Sequence, residues 1–146
     1  MQGIETILNE KKIFIGKTNG DSMSPMLRTG LDTVIVVPPT FPLKKGDVPV
    51  YRRDGHYTMH RIIHVSKRGY VICGDNRFVL ERDITDKDII GVLAAFYREN
   101  TYISCTDADY LQYTKKICRT YPLRLVVYFF YRLFKKIKTI GKGDKK

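Results

Sequence analysis

Residues 47–65, Asp47-Val48-Pro49-Val50-Tyr51-Arg52-Arg53-Asp54-Gly55-His56-Tyr57-Thr58-Met59-His60-Arg61-Ile62-Ile63-His64-Val65, read as two extended runs joined by a tight turn. Asp-Gly is a strong two-residue hairpin signal, because the turn that matches strand twist needs positive φ at its centre. Val, Tyr, Thr and Ile in the flanks suit a pleated, half-buried surface. Pro49 has no amide to donate, so it belongs at an edge or a bulge. From His56 to Val65 a period of two predicts one face with His56, Thr58, His60, Ile62 and His64. The other face then carries Tyr57, Met59, Arg61 and Ile63.

The same pattern extends outward in both directions. Short runs at 13–17, 32–37, 70–73, 89–96 and 101–104 are rich in β-branched and aromatic residues. Pro38-Pro39, the loop at 40–46 and Lys67-Arg68-Gly69 punctuate them. So many short strands predict a mainly β fold: a small, coiled, antiparallel domain over roughly residues 13–104. Residues 4–12 predict a short N-terminal helix with Ile4, Ile7 and Leu8 on one side. The domain boundary is placed at 104/105, with residues 1–104 as the β domain and 105–146 as a helical tail.

In that tail, residues 106–117 predict a helix with Thr106 and Asp109 in capping-box positions, and Pro122 permits a fresh start. Leu123, Val126, Val127, Phe130, Leu133, Phe134, Ile137 and Ile140 then recur at helical spacing. Arg124, Tyr128, Tyr131, Arg132, Lys135 and Lys138 fall on the other side.

Charge separates the two parts. Residues 1–114 hold 15 Lys/Arg against 14 Asp/Glu, a net of +1; residues 115–146 hold 11 Lys/Arg against Asp144, a net of +10. The total of +11 therefore belongs to the tail. Cys73, Cys105 and Cys118 are odd in number and without a CxxC pair. That argues against a disulfide framework or a zinc site, and fits a reducing compartment. The N-terminus lacks the basic start and apolar run of a secretory signal. The longest apolar run, 125–131, is far short of the ~20 residues a membrane-spanning helix needs.

Gly20-Asp21-Ser22-Met23-Ser24-Pro25-Met26-Leu27 lies between two of the extended runs, so Ser22 falls on a turn or strand edge. Read alone, it is an ordinary turn serine. A nucleophilic serine needs a base within hydrogen-bond reach and a group to orient that base. The candidate bases are His56, His60 and His64; the candidate carboxylates are Asp75, Glu81 and Asp83. Each of these also has a plain structural reading as a sheet histidine, a turn residue or a cap.

Their order resembles a known family. The Gly20–Leu27 stretch is similar to the nucleophile box of type I signal peptidases and the related self-cleaving SOS repressors. Lys45-Gly46-Asp47-Val48-Pro49-Val50-Tyr51 resembles the strand that follows, and His60-Arg61-Ile62-Ile63 the general-base box in its histidine form. Gly74-Asp75-Asn76-Arg77 is similar to the closing box, and Ile89-Ile90-Gly91-Val92 to the last strand.

The resemblance implies a twisted β fold and a serine endopeptidase without metal or cofactor, acting on a signal or leader peptide. It implies Ser22 as nucleophile and His60 as general base. Glu81, six residues past Asp75, would orient His60, with Asp83 as the alternative. Met23 and Pro25 would contact substrate. The Ser22 amide, near Gly20 and Asn19, would hold the oxyanion, and Asp75 and Asn76 would pin the loop.

Several residues depart from the pattern. Gly20 stands where some members have a serine, Gly30-Leu31-Asp32 interrupts a usual Gly-Asp pair, and Pro49 breaks a standard strand. The N-terminal anchor of ordinary signal peptidases is absent. No helix-turn-helix fits before Ser22, and no Ala-Gly self-cleavage pair precedes it, which disfavours the repressor reading.

The expected location is cytoplasmic, peripheral at the cytoplasmic face of a bacterial membrane. Residues 120–140 would meet an anionic bilayer surface, or else pack on the domain. The continuous apolar stripe disfavours nucleic acid. The alternative function is a catalytically silent module whose working part is the basic helix.

Overall fold

The structure, a computed structural model, describes residues 3–53 and 55–140, with side chains through residue 134. Helix α1 (Ile4–Lys11) is followed by nine strands: β1 (Phe14–Lys17), β2 (Thr33–Val37), β3 (Pro49–Arg53), β4 (His56–Met59), β5 (Arg61–Ser66), β6 (Gly69–Cys73), β7 (Glu81–Ile84), β8 (Ile89–Arg98) and β9 (Thr101–Ser104). Helix α2 (Ala108–Ile140) ends the described chain. The fold is mainly β, as the short alternating runs predict.

All strand pairs are antiparallel and form two sheets. The larger runs β1-β2-β8-β3-β4, with β9 on the far end of β8; the smaller runs β5-β6-β7. Register shifts at Ile35/Val36, Val50/Tyr51 and Ile62/His64 sharpen the twist and coil the sheets. Pro49 opens β3 opposite Val92, while the β4 pairing starts only at Val50. The missing amide therefore faces no partner strand on the β4 side. Arg53 pairs with His56, which makes the connection two residues long; Asp54 of that turn lies outside the described residues.

Two apolar clusters, one larger than the other, form the core. Leu8, Met23, Met26, Leu27, Val34, Val36, Val50, Leu93 and Phe96 pack in the larger one, together with Tyr110 of α2. Tyr51, Ile62, Tyr70, Ile72, Ile84 and Ile89 pack in the smaller. The seam between the two is crossed at residue 60.

Three expectations change. The run 56–65 is two strands, not one: β4 pairs with β3 in the larger sheet and β5 with β6 in the smaller. His60 sits at the crossing, so His56, His60 and His64 do not share a face of one strand. The helix after β9 does not use the Thr106/Asp109 box: Thr106 Oγ1 lies 2.8 Å from Ser104 Oγ, the Asp107 carboxylate takes the Ser104 amide at 2.7 Å, and the Asp107 carbonyl accepts the first helical bond, from Leu111, at 2.9 Å.

Pro122 does not restart the helix; α2 runs through it for 33 residues. Proline costs one backbone bond, but both halves of α2 dock through one face, which keeps them in phase. On that face Tyr110, Cys118 and Tyr121 before the proline are buried; after it, Arg124 bonds the carbonyls of Asp75 and Arg77, and Tyr128 stacks on Phe78. No described helix is long and apolar enough to cross a membrane.

Candidate active site

Ser22 lies in the turn after β1, closed by Ser24 N–H to the Asp21 carbonyl at 3.0 Å and Leu27 N–H to the Met23 carbonyl at 2.9 Å. Gly20 has φ of 103°, a conformation that a side chain strains. That explains glycine rather than serine here and leaves no hydroxyl at this position. The Ser22 carbonyl accepts the Asn76 amide at 2.8 Å. The loop after β6 thus grips the serine turn by its backbone. Asn76 Nδ2 adds a bond to the Asp21 carbonyl at 3.3 Å, and Arg77 pairs with the Asp21 carboxylate, holding it below its ordinary range.

Gly74 sets how close the two segments come. A Cβ there would lie 2.6 Å from the Ser22 carbonyl oxygen and 3.1 Å from His60 Cδ2. Ser22 and His60 therefore border the same methyl-sized space over a bare Cα, and any side chain at 74 would force them apart.

His60 is oriented from behind. Its Nδ1 lies 2.6 Å from Glu81 Oε1, and the Tyr51 hydroxyl donates to the same oxygen at 2.8 Å while sitting 3.0 Å from Nδ1. Arg53 Nη1 holds Glu81 Oε2 at 2.6 Å. An ionised carboxylate only accepts, so Nδ1 carries a hydrogen, and the neutral form of the ring has its lone pair on Nε2. The side chains of His60 and Glu81 are 13% and 16% exposed. Burial alone would raise the Glu81 pKa, but hydrogen bonds from His60, Tyr51 and Arg53 outweigh it and hold the carboxyl at about 2. Burial and the adjacent carboxylate push the Tyr51 phenol up, so it stays a donor.

Asp83 does not reach this cluster. Ile72 pairs with Glu81 and Tyr70 with Ile84, so two residues of β7 oppose one of β6. Asp83, at φ 63°, is bulged outward and exposed. Asp75 is also absent from it. Its carboxylate is buried and takes Arg61 Nε and Nη2, each at 2.8 Å, with Tyr113 donating at 3.1 Å.

Serine and histidine open on neighbouring hollows. A cleft of about 480 Å³ is lined by Ser22, Met23, Gly20 and Asn19 with Phe14, Val34, Val36, Val50 and Met59. A smaller hollow of about 300 Å³ is lined by His60, Glu81, Arg53 and Val79, and Arg77 borders both. Met23 lines the cleft floor from the core; Pro25 does not reach it, and its carbonyl accepts Arg98 Nη2 at 3.2 Å. Among the described residues, Ser22 Oγ, the Ser22 amide and His60 Nε2 make no hydrogen bonds. The bond between serine and histidine is therefore not made in this structure. Ser22 and His60 each line one of the two hollows.

Tyr51 and Arg53 are parts of this arrangement that the sequence motifs do not mark, and Arg61 is the partner that the loop-pinning Asp75 takes. Tyr51 and Arg53 stand two apart on β3, facing one side of the sheet, which is the signal that was available.

No curated protein matches the chain. A family model described as Peptidase S24-like matches residues 2–94, from α1 into β8, including both hollows but not α2. The match covers well over half of the chain, and it falls on the superfamily that the five sequence boxes resemble. With its coiled β fold and short N-terminal helix, the chain belongs to the Peptidase S24-like family.

Proposed function

We propose that the protein is a serine endopeptidase with Ser22 as nucleophile, His60 as general base and Glu81 as the carboxylate that orients it. A peptidase-type function is what the family membership suggests. The observation that carries the residue assignment is the 2.6 Å contact of Glu81 with His60 Nδ1, which fixes the tautomer and leaves Nε2 basic.

In this reading an extended peptide lies in the cleft beside Ser22. His60 Nε2 takes the Ser22 hydroxyl proton as Oγ attacks the scissile carbonyl. The imidazolium that forms is stabilised by Glu81, whose charge Arg53 and Tyr51 hold in place. The Ser22 amide donates to the oxyanion. His60 then protonates the leaving amine, and a water, deprotonated by the same Nε2, hydrolyses the acyl-enzyme. The mostly aliphatic lining of the cleft suits a substrate with small or apolar side chains next to the cut, as in a signal or leader peptide. Asp83 has no place in the reaction; Asn76 acts by holding the serine turn, and Asp75 by anchoring Arg61 beneath the loop.

The test is cleavage of an apolar peptide library by wild type, Ser22→Ala and His60→Ala, with covalent labelling by a fluorophosphonate. Wild type should cleave and label at Ser22, and both variants should lose cleavage while keeping their fold. The second reading, a silent module, is favoured by the open Ser22–His60 bond. It predicts no labelling of Ser22 and no cleavage by wild type.

A further inference from the structure

Helix α2 has two faces that the fold treats in opposite ways. The inner face is fully engaged. The Tyr121 hydroxyl donates to the Phe78 carbonyl at 3.0 Å, and Arg124 Nη2 donates to the carbonyls of Asp75 and Arg77 at 2.6 and 2.8 Å. Tyr128 stacks on Phe78 with ring centroids 4.9 Å apart. These contacts fix the rotation of the helix about its axis.

Among the described residues nothing packs on the outer face. At about 3.6 residues per turn, Leu123, Val126, Val127, Phe130, Leu133 and Phe134 lie opposite the docked residues. They are 45–65% exposed, and Phe129 and Tyr131 flank them at 64% and 61%. One to two turns upstream on the same face, Lys115, Lys116 and Arg119 are exposed. Ile137, Ile140, Lys135 and Lys138 of the predicted pattern lie outside the described side chains.

We infer that this outer face of α2 lies in the interface of a bilayer containing anionic lipid. The apolar stripe enters the head-group and acyl boundary, and the cations of the helix meet lipid phosphates. Charge decides among the occupants an apolar stripe could have. Residues 115–146 hold 11 Lys/Arg against one Asp, so a second copy would set two strongly basic helices together. Nucleic acid would satisfy the cations and leave Val127, Phe130 and Phe134 in water. An anionic membrane surface satisfies both. The helix lies on that surface and does not cross it, since none of the described helices is long and apolar enough to span. The inference is independent of the peptidase reading, because none of these side chains lines either hollow of the site.

The test is flotation of the full chain with phosphatidylcholine vesicles, with and without phosphatidylglycerol. Two variants are compared with wild type. Val127→Ser/Phe130→Ser/Phe134→Ser removes apolar area without changing charge, and Lys115→Gln/Lys116→Gln/Arg119→Gln removes charge alone. All six positions are exposed, so unchanged circular dichroism spectra and thermal midpoints are expected. Wild type should float with phosphatidylglycerol vesicles and bind the neutral ones about tenfold more weakly or less. Each variant should lose about tenfold in binding.

Three results would overturn the inference. One is no flotation with either vesicle. Another is binding that the serine variant leaves intact, which would make it electrostatic only. The third is a dimer by light scattering that the serine variant dissociates, which would give the face to a second copy.

Discussion

His60 and Arg61 are neighbours in sequence and opposites in structure. Each takes one carboxylate from the segment after β6, Arg61 from Asp75 and His60 from Glu81. The Arg61–Asp75 pair is fully buried and closed. Besides the carboxylate, Arg61 donates to the Gly46 carbonyl, to Thr114 Oγ1 and to Met26 Sδ, so every guanidinium hydrogen has an acceptor. The His60–Glu81 pair is partly open, and His60 keeps an unused nitrogen. One crossing between sheets thus yields a saturated pair that can only hold structure and an unsaturated pair that can do chemistry. Arg61 also ties the seam to α2 through Tyr110 and Thr114.

The largest effect should come from breaking the closed pair. Arg61→Ala strands the Asp75 carboxylate in an apolar interior, which costs about 3–5 kcal/mol. In a small domain that is a large part of the total stability, so the urea midpoint should collapse. Arg61→Lys should not rescue it, because a lysine cannot make the bidentate contact or reach Thr114 and Gly46 together. An Arg61→Ala protein with an unchanged midpoint would show that the buried pair contributes nothing net. His60→Ala is the matched break on the open side. Cleavage should fall by about 10²–10⁴-fold with a much smaller stability change, as read by turnover and urea midpoint on one sample. Equal losses of stability in the two variants would erase the distinction between the pairs.

The β fold was legible because its signals are local: period two, Asp54-Gly55, and Pro38-Pro39 between runs. The crossing at His60 was not, because the alternation continues through residue 60 and only partner strands reveal a change of sheet. Asp83 stayed beside Glu81 as the alternative, since residues two apart share a face of a regular strand. The bulge that turns Asp83 outward depends on the register against β6, which no local pattern carries. Pro122 was read as a break by a sound local rule, which docking of both halves of α2 overrides. Tyr51 reads as an ordinary strand aromatic, and only the fold brings its hydroxyl to Glu81.

A smaller break acts on the open pair from behind. Glu81→Gln keeps the shape but offers an amide that can donate to Nδ1, which favours the wrong tautomer; turnover should fall by about 10²-fold or more. Its stability effect has a sign that pH reveals. The folded pKa, about 2, lies below the ordinary 4.5. The carboxylate therefore contributes stability that is complete above the ordinary value and is lost as pH falls toward about 2. Wild type should exceed Glu81→Gln in urea midpoint near neutrality, and the gap should close on acidification. A gap that widened in acid would mean that Glu81 is folded in its protonated form.

The finest test is Tyr51→Phe, which removes one hydroxyl and keeps the buried ring. Glu81 retains Arg53 and His60, so the tautomer of His60 is still set. The loss should be about 1.5–3 kcal/mol of stability and a several-fold fall in turnover, as expected for one hydrogen bond to a charged group. Burial and then Glu81 raise the phenol pKa above its ordinary value, so the hydroxyl stays protonated across the neutral and mildly alkaline range. The ratio of wild-type to variant kcat/KM should therefore be flat with pH over that range. A ratio that changed with pH would show that the phenol titrates during turnover. Tyr51 would then take part in proton transfer, and the open pair would have to be redrawn as a three-membered acid–base unit.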